Sequence, residues 1–320
     1  MKRKRQMKYL WKKVGTLIIT LLIVSFLSFF AFSVIPGDAA QSKLGTEATE
    51  EQVKALREEM GLDKPVLIRY GKWITQFLQG DFGESYSYSL PVKEIVLQKM
   101  PIMIALVLLS FFWILVLSIP IGIVSAQHEN RLLDYIIRIG NQTVMAIPSF
   151  FIGMIITLIF GISLKWFMPG CYVPIEDSFF GFLSYLIAPS VAIALPKTAM
   201  AVKILRSAIV SQKDMDYVRT AYSRGNTKRQ VLYRHMLRNA MIPTMTFWAM
   251  TLVDLIANSI IIEKVFSIPG LGTMLITSIS NRDYPVVQFI IVFVATLVIL
   301  INFLIDLLYA KIDPRVSIRK

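Results

Sequence analysis

Cysteine, histidine and charged residues are scarce in this sequence. The one cysteine, Cys171, cannot form a disulfide within the chain, and two histidines, His128 and His235, are too few for a His/Cys metal site, so we expect no bound metal. Only 17% of the 320 residues are charged, 55% are hydrophobic, and the mean hydropathy is +0.60. This composition excludes an ordinary soluble domain and indicates a membrane protein.

The sequence also lacks the common motifs of catalysis. It has no G-x-x-x-x-G-K-[ST] loop with which to hold ATP, and neither G-x-S-x-G nor H-E-x-x-H occurs. An intramembrane enzyme would need paired catalytic groups at matched depth, and Asp254 has no carboxylate partner of that kind. The sequence therefore predicts a non-catalytic subunit that carries no cofactor of its own.

Six hydrophobic stretches approach or exceed the roughly 20 residues that a helix needs to cross a bilayer. The first follows a basic N-terminus, as in a signal peptide, but its apolar run is long and no A-x-A-like site follows, so we interpret it as a retained anchor. The fold class is thus an all-α polytopic membrane protein with six transmembrane helices. The stretches are 14–35, 101–126, 139–164, 182–202, 244–262 and 285–309.

The distribution of Lys and Arg predicts the orientation of the chain. The tail at 1–13, the loop at 203–243 and the tail at 311–320 are basic, and six spans place all three on the same side. Because basic loops stay in the cytosol, both termini are predicted to be cytosolic. The formal charge of +13 then needs no nucleic-acid partner, for which no base-reading motif is present.

The segment 36–100 forms a predicted external insertion, followed by a core at 101–310. Thr49 and Gln52 have the spacing of a capping box, and Gly61 suits the end of the helix that they begin. A second amphipathic helix is predicted from Val66 to Gln79, with Leu67, Tyr70, Ile74, Phe77 and Leu78 on one face. Two interpretations stay open, a cap on the helix bundle and a docking surface for an external protein.

The basic loop at 203–243 is patterned as two short helices. The first, from Asp214 to Arg224, stops at Gly225, and Asn226 and Thr227 can cap the second, before Pro243 opens the fifth span. Such a pair either lies in the lipid headgroup region or inserts into a cytosolic partner and transmits motion to the spans.

These residues resemble the coupling loop of ATP-binding cassette importer permeases, in the version of the oligopeptide, dipeptide and nickel permeases. Arg219-Thr220-Ala221 stands where Glu-Ala-Ala is usual in that loop, and the long insertion after the first span is similar to the B-type subunit. The resemblance extends over the chain, through Asp216-Tyr217-Val218, Gly225, Arg238-Asn239-Ala240, Pro36-Gly37-Asp38, Gly61-Leu62-Asp63-Lys64-Pro65, Arg69-Tyr70, Gly80-Asp81-Phe82-Gly83, Phe266, Pro269-Gly270-Leu271-Gly272, Arg282-Asp283-Tyr284-Pro285, Asn302, Asp306 and Asp313-Pro314-Arg315.

The resemblance implies a type I importer permease fold in a bacterial inner membrane, with a second, C-type permease subunit, cytosolic ATPase subunits that bind ATP and Mg, and an external solute-binding protein as partners. It implies contact with the ATPase at Asp216, Tyr217, Arg219, Thr220, Ala221, Gly225, His235, Arg238 and Asn239. It implies an outer mouth, or a contact with the binding protein, at Glu263, Pro269, Gly270, Gly272 and Asp283.

Asp254 lies near the middle of the fifth span, where an unpaired carboxylate is costly, so it is expected to face the bundle interior, a partner subunit or water. Asn258 lies one turn further on the same face and extends a candidate translocation pathway. An interhelical hydrogen bond without cargo contact is the alternative. We expect Lys197 and Asp306 to lie toward the cytosolic ends of their helices.

The predicted function is that of a permease subunit that forms half of the pathway for peptides delivered by a binding protein. Import of nickel, a metal chelate or haem by the same architecture is the first alternative. A membrane assembly protein without transport activity is the second, and it would not need a patterned coupling loop. Nothing in the residues themselves identifies the cargo.

Overall fold

The computed structural model describes residues 2–34, 39–44, 48–59 and 61–312. Within these ranges the regular structure is helical and no β-strand forms. The helices are α1 Lys2–Val34, α2 Ala39–Leu44, α3 Glu50–Glu59, α4 Val66–Leu78, α5 Val92–Leu97, α6 Met100–Gln127, α7 Leu132–Ala146, α8 Ser149–Ile156, α9 Phe179–Gln212, α10 Asp216–Ser223, α11 Lys228–Gln230, α12 Leu237–Val265, α13 Leu271–Ser280 and α14 Tyr284–Ile312. The motifs Pro36-Gly37-Asp38 and Asp313-Pro314-Arg315 lie outside the described residues.

Among the described residues, five helical segments are long and apolar enough to cross a membrane. The count rises to six if α7 and α8, the latter continued by a π-helical segment at Thr157–Ser163, form one bent span. The angle between the two parts is 101°. Pro148 explains the bend, because a residue before proline is pushed out of the helical region, and Ile147 is extended with φ −95° and ψ 126°. Hydropathy predicted this span as a single stretch and gave no sign of the angle.

The other prolines of the core lie inside continuous helices. Pro120 lies within α6, and Pro189 and Pro196 lie within α9. Pro243 was predicted to open the fifth span, and this prediction is wrong. One helical segment runs from Lys228 to Val265, through a π-helical segment at Val231–Met236, and contains Pro243 in its interior. The second helix of the basic loop and the fifth span are therefore parts of one continuous helical segment.

The chain divides into two compact units. The first contains α1 to α5 together with α13 and α14, and α1 packs against both α4 and α14. The contact between α1 and α4 is aromatic: the rings of Phe29 and Tyr70 are 5.6 Å apart, as are those of Phe29 and Trp73, and the Tyr70 hydroxyl is 2.8 Å from Ser25 Oγ. The structure thus places α4 against the first span, as the cap interpretation requires.

The predicted helices of the insertion form, but the inward face of α4 differs from the predicted one. Thr49 and Gln52 make the reciprocal hydrogen bonds of a capping box, at 3.0 and 3.4 Å. In α4, Tyr70, Ile74 and Phe77 of the predicted face are half-buried, but Leu67 and Leu78 are exposed, and Trp73, which was not on that face, packs inward beside Tyr70. Both rings reach the first span from adjacent turns, and this pairing rotates the helix away from the face that simple hydropathy selected.

The second unit contains α6 to α12 and has α9 at its centre, in contact with α7, α8 and α12. Its core is formed by apolar side chains of several spans, among them Leu106, Ile114, Leu186, Ile193, Leu255 and Ile262. Helices α6 and α9 approach closely at Gly122, where a Cβ atom would lie 2.9 Å from Leu205 Cδ2. The absence of a side chain at Gly122 therefore sets the distance between these two spans.

Candidate functional site: a basic hairpin packed on the span ends

The basic loop folds as a helical hairpin, formed by residues 216–240 and called the basic hairpin below. Its first helix, α10, ends at Gly225, whose φ of +81° is costly for residues with a side chain. The Gly225 amide donates to the Tyr222 carbonyl at 2.9 Å. Thr227 and Gln230 then form a reciprocal capping box at the start of the second helix. The helix stop and the cap predicted from the sequence are confirmed.

The inner face of the basic hairpin packs on the ends of two spans. Val218 and Ala221 of α10 are buried together with Val231, Leu232, Met236 and Ala240 of the second helix. They belong to one cluster with Ile123 and Ala126 at the end of α6 and Leu205 and Ile209 near the end of α9. This buried apolar cluster joins the inner face of the hairpin to the ends of both spans.

The outer face of the basic hairpin is polar, basic and open. Asp216, Arg219, Thr220 and Gly225 are exposed, and so are Arg238 and Asn239, whereas His235 is half-buried. Tyr217 is also half-buried, and its hydroxyl is 2.7 Å from Gln212 Oε1. Of the nine candidate coupling residues, only Ala221 packs in the interior. The hairpin therefore has one face for its own bundle and one face available to another molecule.

Beside the hairpin, a buried ion pair joins three helices. Arg206 of α9 donates Nε and Nη2 to the two carboxylate oxygens of Asp134 in α7, both at 2.6 Å. Asp134 also accepts hydrogen bonds from Ser125 Oγ of α6 at 2.7 Å and from the Asn130 amide at 3.1 Å. We call these four residues the Asp134 cluster. The carboxylate is fully buried, so these donors replace the water that it loses.

A second ion pair lies nearby. Lys213 Nζ is 2.5 Å from Glu129 Oε2 and 3.1 Å from the Ala126 carbonyl oxygen. Neither pair could be predicted from the sequence; Asp134 and Arg206, for example, are 72 residues apart, and nothing in the local pattern connects them. The one available signal was the presence of a few charged residues, Asp134 and Arg206 among them, in otherwise amphipathic or apolar helices.

The candidate pathway residue Asp254 is paired. Its Oδ2 atom lies 2.5 Å from Lys197 Nζ, and the two side chains are 56% and 28% exposed. Lys197 was predicted to lie toward the cytosolic end of its helix, and this prediction is wrong, since it lies near the middle of α9 and points to α12. The difference arises because α9 continues to Gln212, well beyond the predicted end of the span at residue 202.

Asn258 extends the polar contacts by one turn. Its Nδ2 donates to the Asp254 carbonyl oxygen at 2.8 Å, and its Oδ1 accepts a hydrogen bond from Ser149 Oγ at 2.9 Å. The interhelical hydrogen bond weighed as an alternative to cargo contact is thus present between α12 and α8, although the exposed side of Asp254 remains open.

The candidate outer residues are largely buried within their own units. Glu263 is fully buried near the end of α12, and Gly270 and Gly272 are buried around the start of α13, while Pro269 is half-buried. Because Glu263, Gly270 and Gly272 are buried, a contact with a partner protein in this region would involve neighbouring exposed residues.

Asp283 holds the end of the external insertion. Its carboxylate accepts a hydrogen bond from the Ser85 hydroxyl. It also accepts hydrogen bonds from the backbone amides of Tyr86 and Ser87, both at 3.1 Å. Burial raises the pKa of the neighbouring Tyr86 to about 12, and the Asp283 carboxylate acts in the same direction. Asp283 is fully buried and fixes the insertion to the residues that precede α14.

No group of three or more His, Cys, Asp or Glu side chains in the described ranges is arranged to hold a metal ion. The apolar helices and the basic hairpin packed on the ends of two of them define a class of protein, a multi-pass membrane protein. Residues 118–318 match the family model described as binding-protein-dependent transport system inner membrane component, and residues 6–107 match the one described as its N-terminal membrane component. The chain belongs to this family of importer permeases, and the resemblance is confirmed.

Relatives cover almost the whole chain. The chain is 33% identical over 300 residues to the oligopeptide transport system permease protein AppB of Bacillus subtilis, with 93% of this chain and 95% of the relative covered. It is 35% identical over 310 residues to the glutathione transport system permease protein GsiC of Salmonella paratyphi A, with 97% and 99% covered. The shared length includes the external insertion, the spans and the basic hairpin.

Proposed function

We propose that this chain is the permease subunit of an ATP-driven peptide importer and forms half of its translocation pathway. The observation that carries the proposal is the basic hairpin, which is closed against two spans on one side and open on the other. Family membership supports a transport role. The names of the relatives, which specify oligopeptide and glutathione transport, support peptides over nickel, a metal chelate or haem.

In this proposal the chain is not an enzyme. Separate cytosolic ATPase subunits bind ATP and Mg and contact the outer face of the basic hairpin through Arg219 and Thr220. Their closure moves the hairpin, and the apolar cluster passes this movement to α6 and α9, which alternates the pathway between its two openings. A second, C-type permease forms the other half of the pathway, and an external binding protein supplies the peptide.

The proposed orientation places both termini and the basic hairpin in the cytosol of a bacterial cell. The basic composition of the loop at 203–243 supports it. The external insertion then lies on the opposite side of the membrane, near the binding protein, and Asp254 and Asn258 line the pathway between the two sides.

The experiment compares two glycines that have a similar positive φ, at which only a residue with a side chain is strained. Gly225 and Gly80 have φ of +81° and +86°, and no atom lies within 4 Å of a Cβ atom built on either one. Replacing either glycine with valine strains the backbone by about 1–3 kcal/mol, and the added Cβ atom itself meets no neighbour. We measure peptide uptake and ATP hydrolysis by the complete reconstituted complex for Gly225→Val and Gly80→Val.

Gly225→Val is expected to lower the number of peptides imported per ATP hydrolysed, because it distorts the end of α10, whereas Gly80→Val in the insertion keeps that ratio. Equal ratios in both variants would contradict the proposed role of the hairpin. Absence of peptide uptake by the unmodified complex would contradict the peptide cargo.

A further inference from the structure

The charged pair between Lys197 and Asp254 lies in an unusual place. Both residues are near the middle of long apolar helices, α9 and α12, and yet the Asp254 side chain is 56% exposed and that of Lys197 is 28% exposed. Charged groups at this depth are costly against hydrocarbon. The exposed side of the pair is therefore expected to face a partner subunit or water and not lipid tails.

The surface around Asp254 is otherwise small or adaptable. Along α12, Met250, Ala257 and Ile261 are exposed on the same side, while Thr251 and Leu255 are buried. Such a surface has no shape or charge that selects one amino-acid side chain, and the flexible thioether of Met250 can adjust to different ones. Between Met250 and Ile261, the charged pair and the half-buried Asn258 are the polar features that this side of α12 presents.

The geometry of the pair leaves binding capacity unused. Lys197 Nζ has three protons, and its single hydrogen bond within the described part of the chain goes to Asp254 Oδ2. The other carboxylate oxygen of Asp254 has no hydrogen bond in that part of the chain. A lysine also carries a compact charge on a flexible stem, which can exchange one anionic partner for another more readily than a bidentate arginine.

Building on the proposed function, we propose that Lys197 and Asp254 form an exchangeable charge site for the terminal groups of the cargo peptide. Lys197 binds the peptide carboxylate and Asp254 binds the peptide ammonium group. Every unmodified peptide has these two groups, whatever its side chains. For a peptide short enough for its two ends to reach both side chains, binding replaces one internal ion pair with two ion pairs to the cargo, so no charge is left uncompensated while the peptide is bound.

The test uses the complete complex in proteoliposomes with Lys197→Met, Asp254→Asn and the double variant. Three forms of one peptide are supplied, with free ends, with an amidated carboxyl end or with an acetylated amino end. Each is supplied at concentrations that saturate the purified binding protein, so that differences in delivery are removed. Uptake of the free peptide by the unmodified complex tests the proposed function separately, because it does not depend on the variants.

The unmodified complex is expected to transport the free peptide faster than either blocked form. Lys197→Met should abolish the preference for a free carboxylate alone, and Asp254→Asn should abolish the preference for a free amino group alone. The double variant should transport the free peptide about tenfold more slowly, which corresponds to the loss of roughly 1.4 kcal/mol. Lys203→Met, an exposed lysine of the same helix, is the control and should keep both preferences.

A purely structural pair gives a different pattern. In that case each single variant leaves one uncompensated charge and loses activity, while the neutral double variant recovers the uptake rate of the unmodified complex. Recovery by the double variant, or single variants that discriminate between the three peptides as the unmodified complex does, would overturn the proposal.

Discussion

Removal of the guanidinium group from the Asp134 cluster is expected to destabilise the protein strongly. In Arg206→Met, the fully buried carboxylate of Asp134 loses two charged hydrogen bonds of 2.6 Å and keeps only the Ser125 hydroxyl and the Asn130 amide. Breaking a buried ion pair from one side costs about 3–5 kcal/mol. The Arg206 side chain is 14% exposed, so water can reach the site slightly and the lower end of that range applies.

The neighbouring ion pair provides a matched control. Lys213 and Glu129 have the same charges and lie beside the same helices, but their side chains are 38% and 26% exposed. Solvent screens such a pair, and Lys213→Met should cost only about 0–1 kcal/mol. Burial is thus the main difference between the two substitutions.

The assay heats the purified, detergent-solubilised complex and measures the fraction that stays monodisperse by size-exclusion chromatography. A loss of about 3 kcal/mol should lower the midpoint temperature by on the order of 5–10 °C for Arg206→Met, against about 2 °C or less for Lys213→Met. Adding Asp134→Asn to Arg206→Met removes the orphaned charge and should recover at least half of the loss. Equal midpoints for the two single variants would refute the argument from burial.

Two further predictions follow from close contacts. Gly122→Ala places a Cβ atom 2.9 Å from Leu205 Cδ2 and should cost about 1–3 kcal/mol, whereas Gly140→Ala, with no atom within 4 Å, should be neutral or slightly stabilising. The same thermal assay measures both, and an equal response would contradict the close approach of the two spans. Asp283→Ala removes three hydrogen bonds and should make the external insertion more sensitive to limited proteolysis. Asp81 accepts only one local hydrogen bond, from the Gly83 amide, so Asp81→Ala should not have this effect. Equal cleavage of the two variants would contradict the anchoring role of Asp283.

Local features of this fold could be predicted from the sequence because their causes are local. The capping boxes at Thr49 and Thr227, and the helix stop at Gly225, depend on residues a few positions apart. The hydrophobic spans could be predicted for the same reason. Hydropathy alone did not reveal the bend at Pro148 or the uninterrupted helix through Pro243, because the effect of a proline depends on how the surrounding structure satisfies the backbone.

The pairings could not be predicted, because each depends on which helices become neighbours. Asp134 and Arg206 meet only when α7 packs on α9, and Lys197 reaches Asp254 only when α9 packs on α12. A single charge in an apolar helix indicates that a partner exists but does not identify it. The rotation of α4 has the same origin, since the aromatic residues of α1 select its inward face.

The proposed binding of a cytosolic ATPase to the outer face of the basic hairpin can be tested by crosslinking. In the complete complex, the exposed Cys171 is first replaced by serine, and a photo-crosslinker is attached to a cysteine introduced by Thr220→Cys. Thr75→Cys, at an exposed position of α4, is the control. We expect a covalent adduct between position 220 and the ATPase subunit whose yield changes with bound nucleotide, and no such adduct from position 75. Adducts of position 220 with lipid alone, in every nucleotide state, would contradict the proposed binding.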